Sequence, residues 1–132
     1  MSNSQVFTSA QIFNASESEE YYFDEGCYIL EMLNSPVDPE MSIARAKVDA
    51  GKMTRFHSLK GVTERYVIQQ GQGRVSLGDA FEEEVREGSV VVIPAGVRQR
   101  IFNTGNSPLI FLAVCTPRFT LECYKDLESG VD

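Results

Sequence analysis

From about Tyr28 onward, apolar and β-branched residues run in short stretches cut at close intervals by Gly, Pro, Asn and Asp. That is the pattern of strands joined by turns. The stretches predict strands at Tyr28–Asn34, Ser42–Ala50, Arg55–Leu59, Glu64–Gln70, Gly73–Leu77, Phe81–Val85, Ser89–Ile93, Gln99–Asn103 and Leu109–Thr116. The breaks carry the turn residues: Asn34 to Pro39, Gly71 to Gly73, Gly78-Asp79, Pro94 to Gly96, and Asn103 to Pro108. Pro and Gly fall between strands, where their backbone restrictions do no harm. No long stretch repeats with helical spacing, and Pro117 limits a helical Phe119–Leu127 to a turn or two.

Strands this numerous and this evenly spaced predict a sandwich or a barrel, with a jelly roll, a lipocalin-like barrel and an immunoglobulin-like sandwich in competition. Two glycine-framed segments separate them. The first runs from Gly51 to Gly71 and carries His57, Leu59 and Glu64; the second runs from Gly88 to Asn103 and carries Pro94, Gly96 and Gln99. Their spacing resembles the cupin pattern G-x5-H-x-H-x3–4-E-x6-G followed by G-x5-P-x-G-x2-H-x3-N, over roughly residues 41–116. Two of the family's four ligand positions are kept, as His57 and Glu64, and two are replaced, by Leu59 and Gln99.

The resemblance implies an all-β cupin double-stranded β-helix, a jelly-roll barrel over residues 28–117. An N-terminal arm (1–27) precedes it, and a short tail (118–132) packs on or beside it. It also implies a homodimer, with Gln5–Ala10 of the arm adding as a strand to a neighbouring subunit. Gly71, Gly88, Gly96 and Pro94 are read as turn and corner residues. Asn103 is read as closing a turn through local backbone bonds.

Side chains alternate along a strand, so one inward residue assigns the rest. With His57 inward, Arg55 and Leu59 follow, and Phe56 and Ser58 face out. With Glu64 inward, Tyr66 and Ile68 follow, and Arg65, Val67 and Gln69 face out. With Gln99 inward, Ile101 follows, and Arg98 and Arg100 face away. The expected ligand pocket is therefore Arg55, Leu59, Tyr66, Gln99 and Ile101 around His57 and Glu64, an apolar lining with a few convergent polar groups. Tyr66 either donates its hydroxyl to a ligand or fills the barrel with its ring. Parity does not decide whether Glu31 and Arg45 face in or out.

Composition adds exclusions. The chain of 132 residues, 42% hydrophobic and 23% charged, suits one soluble domain with a real core. Its net charge is −7, and residues 1–44 hold eight acids and no Lys or Arg. An acidic front argues against nucleic acid. No apolar run approaches the roughly 20 residues of a membrane span, and no secretory signal opens the chain, so a cytoplasmic protein is expected. Cys27, Cys115 and Cys123 lack zinc-type spacing and are read as reduced thiols, Cys115 within the core.

The candidate chemistry centres on His57, the single histidine, and Glu64. A buried carboxylate needs a partner, and His57, Gln99 or a metal would serve. Three functions remain open. The first is a barrel that holds a small organic molecule without acting on it. The second is a metal-dependent isomerase, dioxygenase or polyketide-cyclase-like enzyme with one divalent ion (Zn, Ni, Fe or Mn) on His57, Glu64 and Gln99. The third is a metal-free isomerase, epimerase or cyclase in which Glu64 and His57 share acid–base work as catalytic groups.

Overall fold

Residues 9–128 are described by a computed structural model, and among them eleven strands form two antiparallel sheets. In chain order they are β1 (Tyr21–Phe23), β2 (Cys27–Leu33), β3 (Ser42–Val48), β4 (His57–Leu59), β5 (Thr63–Gln70), β6 (Gln72–Leu77), β7 (Phe81–Arg86), β8 (Val90–Ile93), β9 (Gln99–Asn103), β10 (Leu109–Thr116) and β11 (Tyr124–Asp126). One sheet has the order β1-β2-β3-β10-β5-β8, and the other β11-β4-β9-β6-β7. The all-β barrel expected from the turn spacing is the fold observed.

Strand alternation carries through into burial. On β5, Glu64, Tyr66 and Ile68 are buried, while Arg65 and Val67 between them are less so. On β9, Gln99, Ile101 and Asn103 are buried. Outward-facing Phe56 lies under the guanidinium groups of Arg98 and Arg100, at 3.9 and 4.0 Å from its ring centre. The main core packs Tyr66, Ile68, Val75, Ile93, Ile101 and Phe111 between the sheets. A second cluster of Leu59, Val62, Cys115 and Cys123 closes one end.

Two strands lie where the sequence pattern placed none. β1 pairs with β2 as a hairpin, Tyr21 opposite Ile29, so part of the acidic N-terminal stretch joins the larger sheet. β11 pairs with β4, Tyr124 opposite Leu59 and Asp126 opposite His57. The helical turn expected at Phe119–Leu127 is a single 3-10 turn at Leu121–Cys123 that leads straight into β11. Three-residue strands like these carry too little alternation to stand out in a sequence; pairing with an existing edge makes them. The expected Gln5–Ala10 strand lies mostly outside the described residues.

Particular backbone sites hold the turns. Gly26 ends the β1–β2 turn at φ +109°, and a Cβ there would stand 3.2 Å from Met53 O; only glycine combines that conformation with that approach. Asn103, fully buried, donates to Val48 O (2.9 Å) and Ser107 O (2.8 Å) and accepts from the Gly105 amide (2.9 Å). It thus closes its own turn, as expected, and also ties that turn to β3. Cys27, Cys115 and Cys123 are buried and form no disulfide. No helix among the described residues is long and apolar enough to cross a membrane.

Candidate functional site

Cross-strand register assembles one wall of a cavity. Glu31 lies opposite Ala44, Ala44 opposite Ala113, and Ala113 opposite Tyr66. In the next row Ser42 lies opposite Cys115 and Cys115 opposite Glu64. Because Ala44, Ala46 and Ala113 are small, the six-stranded sheet does not fill the space in front of it. The facing wall comes from β4 and β11, with His57, Leu59 and Tyr124. The free volume is about 60 Å³, which at about 10–15 Å³ per water holds on the order of four to six waters. Its rim reaches the surface at Tyr21, which is 44% exposed.

His57 is 2% exposed and oriented by the backbone two residues before it. Its Nδ1 lies 2.7 Å from Arg55 O. A carbonyl only accepts, so Nδ1 carries a proton and Nε2 is left to face other groups. Nε2 stands 3.7 Å from Glu25 Oε1. Glu25 reaches this position because its carbonyl accepts from the Arg55 amide at 2.8 Å, which ties the β1–β2 turn to the chain entering β4. Tyr124 stacks on the imidazole at 5.3 Å between ring centres.

Glu64 is 9% exposed, lines the cavity, and its Oε1 has no hydrogen-bond partner among the described residues. Burial, reinforced by the neighbouring carboxylate of Glu25, pushes its pKa up to about 7; His57 and Gln99 pull against that rise. Gln99 is 1% exposed and accepts a hydrogen bond from the Tyr66 hydroxyl through Oε1. Its NH2 is what remains for the carboxyl group.

His57, Leu59, Glu64 and Tyr66 line the cavity. Gln99 stands behind the lining, reaching it through Tyr66 and Glu64. Ile101 lies in the closed core rather than on the cavity, opposite Val75 on β6 and in the same buried cluster. Arg55 is not on the cavity either: it precedes β4, where strand parity no longer holds, and its Nε pairs with Asp126 at 3.1 Å. The two undecided residues part ways. Glu31 faces the cavity, whereas Arg45 turns out to meet Glu17 and Glu20 at 2.6 and 3.1 Å. Glu25, Phe23 and Tyr124 were missed by sequence reasoning. They come from a turn and two short strands whose places depend on long-range pairing.

The residues present do not suit a metal centre. Leu59 offers no donor, and Gln99 Oε1 is already occupied by Tyr66. No group of three His, Cys, Asp or Glu among the described residues is arranged to hold an ion. Nor is Cys115 a nucleophile, since burial pushes its thiol pKa well up.

Comparison with known proteins agrees with the fold. Residues 44–115 match the Cupin domain family model. An uncharacterized protein of Bacillus subtilis (strain 168), YrkC, is 36% identical over 55 residues, a match covering 38% of this chain and 30% of that protein. The chain therefore spans less than a third of that curated relative. The oxalate decarboxylase of Lactobacillus farciminis, solved as a formate complex, aligns with a TM-score of 0.71 at 25% identity over 82% of this chain and 33% of its own. Pac13, a nucleoside dehydratase, aligns at 0.72 and 14% identity over 89% and 92%. With a family model covering more than half of it and these neighbours in fold, the chain belongs to the cupin family.

Proposed function

We propose that the barrel binds a small organic molecule between its sheets and exchanges protons with it, Glu64 acting as acid and His57 as base. One observation carries this reading: Glu64 lines the cavity, and one of its carboxyl oxygens is buried with no hydrogen-bond partner among the described residues. Leaving such a group unpaired costs about 1–3 kcal/mol, which a bound ligand would offset. A carboxyl held near pH 7 can donate at neutral pH, where an ordinary glutamate cannot. Its counterpart is an imidazole whose Nδ1 proton is committed to Arg55 O, which leaves Nε2 as acceptor.

On a small carbonyl compound the step balances simply. Nε2 of His57 takes the proton from the carbon beside the carbonyl, Glu64 gives its proton to the carbonyl oxygen, and an enol results. Return of a proton to the same carbon from the opposite face, with Glu64 taking back the enol proton, gives epimerisation. With an α-hydroxy carbonyl compound the intermediate is an enediol, and protonation of the former carbonyl carbon with loss of the neighbouring hydroxyl proton to Glu64 gives isomerisation. Glu25 Oε1 stands 3.7 Å from the nitrogen that takes up this proton. Leu59 and Phe111 keep the surroundings apolar, so these charges act at short range with little screening.

The test is deuterium incorporation beside the carbonyl of small ketones and aldehydes in heavy water, using protein treated with a chelator. Wild-type protein should catalyse exchange, and Glu64→Gln and His57→Gln should each lose about 10²- to 10⁴-fold. Exchange that appears only when Zn, Ni, Fe or Mn is restored would favour the metal-dependent reading instead. Tight ligand binding without exchange would leave a binding barrel.

A further inference from the structure

The cavity is one-sided in charge. Glu25, Glu31 and Glu64 all line it, and among the described residues no Lys or Arg does. Several cations close in sequence to lining residues are turned away or engaged: Arg45 and Lys47 leave the opposite face of β3 to meet Glu17 and Glu20, Arg55 pairs with Asp126, and Arg65 donates to Thr63 O and Thr116 Oγ1. The remaining polar edge is aromatic. Tyr21 reaches toward Glu31 with its hydroxyl 3.5 Å from Oε2, and Phe23 packs edge-on to Tyr124 at 5.2 Å. Ring faces beside carboxylates suit an organic cation and repel an anion.

We infer that the occupant of this cavity is a small molecule bearing an ammonium group, held by Glu31 and Glu25 between aromatic side chains. The inference rests on the proposed binding at this site and names the class of compound bound. The second observation is Oε1 of Glu64, a buried acceptor on a residue that lines the same cavity, with no hydrogen-bond partner among the described residues. An ammonium group brings three donors, enough to reach Glu31 and Glu25 with one left for this oxygen. A carboxylate or phosphate brings only acceptors and a like charge. The small volume restricts the group's substituent to a few carbons.

Three probes of like shape separate the possibilities: isobutylammonium, isobutyramide and isobutyrate, each titrated into the protein by calorimetry and thermal unfolding. Isobutylammonium should raise the melting temperature with concentration, and bind at least about tenfold more tightly than isobutyrate. Glu31→Gln and Glu25→Gln should each weaken it about tenfold, and the double variant should abolish it; a melting curve without ligand shows that each variant is folded. Preference for isobutyrate, equal response in the double variant, or no response to isobutylammonium at about 10 mM overturns the inference. These results are distinguishable from failure of the proton-transfer reading. Amines that bind without any deuterium exchange defeat the chemistry and leave the ligand class standing, while exchange confined to anionic carbonyl compounds does the reverse.

Discussion

The Tyr66 hydroxyl donates to Gln99 Oε1 inside the barrel, across the two sheets and 33 positions of chain. That bond sets the orientation of the Gln99 amide and leaves its NH2 as the group near Glu64. Gln99 therefore acts on the carboxyl as a donor, pulling against the rise that burial imposes. It also removes from the cavity the oxygen that a metal ion would need.

Tyr66→Phe deletes this donor and keeps the ring that packs against Phe111 at 4.4 Å between centres. Gln99 Oε1 is then buried without a partner. The variant should lose about 1–3 kcal/mol in urea unfolding, and a Tyr66→Phe, Gln99→Leu double variant should recover part of the loss. Stability equal to wild type in the single variant would show that the bond contributes nothing.

Glu64 makes stability depend on pH. Its pKa rises from the ordinary 4.5 to about 7 on folding, so between those values the folded protein holds a proton that the unfolded chain has released. Stability therefore falls as pH rises from about 4.5 to about 7, by on the order of 3 kcal/mol from this group, and levels off above. In Glu64→Gln that component should vanish, making the variant more stable than wild type at pH 8. Unfolding curves at pH 5 and pH 8 measure both.

Ala113 sits in the cavity wall between Ala44 and Tyr66. Ala113→Leu should fill the space and abolish the thermal shift produced by any ligand of the site, while Glu64 and His57 remain in place. Overpacking should limit the loss of stability to about 1–3 kcal/mol. Retained ligand response in a folded Ala113→Leu protein would locate binding elsewhere.

Asn103 has the opposite profile. Replacing it by Ala removes bonds to Val48 O, Ser107 O and the Gly105 amide at a fully buried position away from the cavity. A loss on the order of 3 kcal/mol is expected, with ligand affinity unchanged in whatever fraction stays folded. Calorimetry at low temperature reads the two separately.

The fold was legible because turn residues and glycine frames are local. Gly71, Gly88 and Gly96 each adopt positive φ at the corners where the spacing put them. Parity placed Leu59 and Tyr66 beside His57 and Glu64; β5 alternates as expected, whereas on the three-residue β4 Ser58, expected to face out, is buried as well. It failed for Arg55, which lies before the strand begins, and for Ile101, because parity separates the faces of a strand but not the depth along the barrel. Glu31 carried a usable signal as the one charged residue in the apolar run Cys27–Leu33. Glu25 carried none. Its place beside His57 follows from the Glu25 carbonyl and the Arg55 amide, 30 positions apart, and no local pattern encodes that pairing.

The most direct measurement is the titration of the Glu64 side-chain carboxyl by carbon NMR in protein labelled at glutamate, with Glu64→Gln supplying the assignment. A midpoint near pH 7 in chelator-treated protein, displaced when ligand binds, is the expected outcome. A midpoint at the ordinary glutamate value near 4.5 would mean that the carboxyl is solvated and paired, and the acid at the heart of the cavity would not exist.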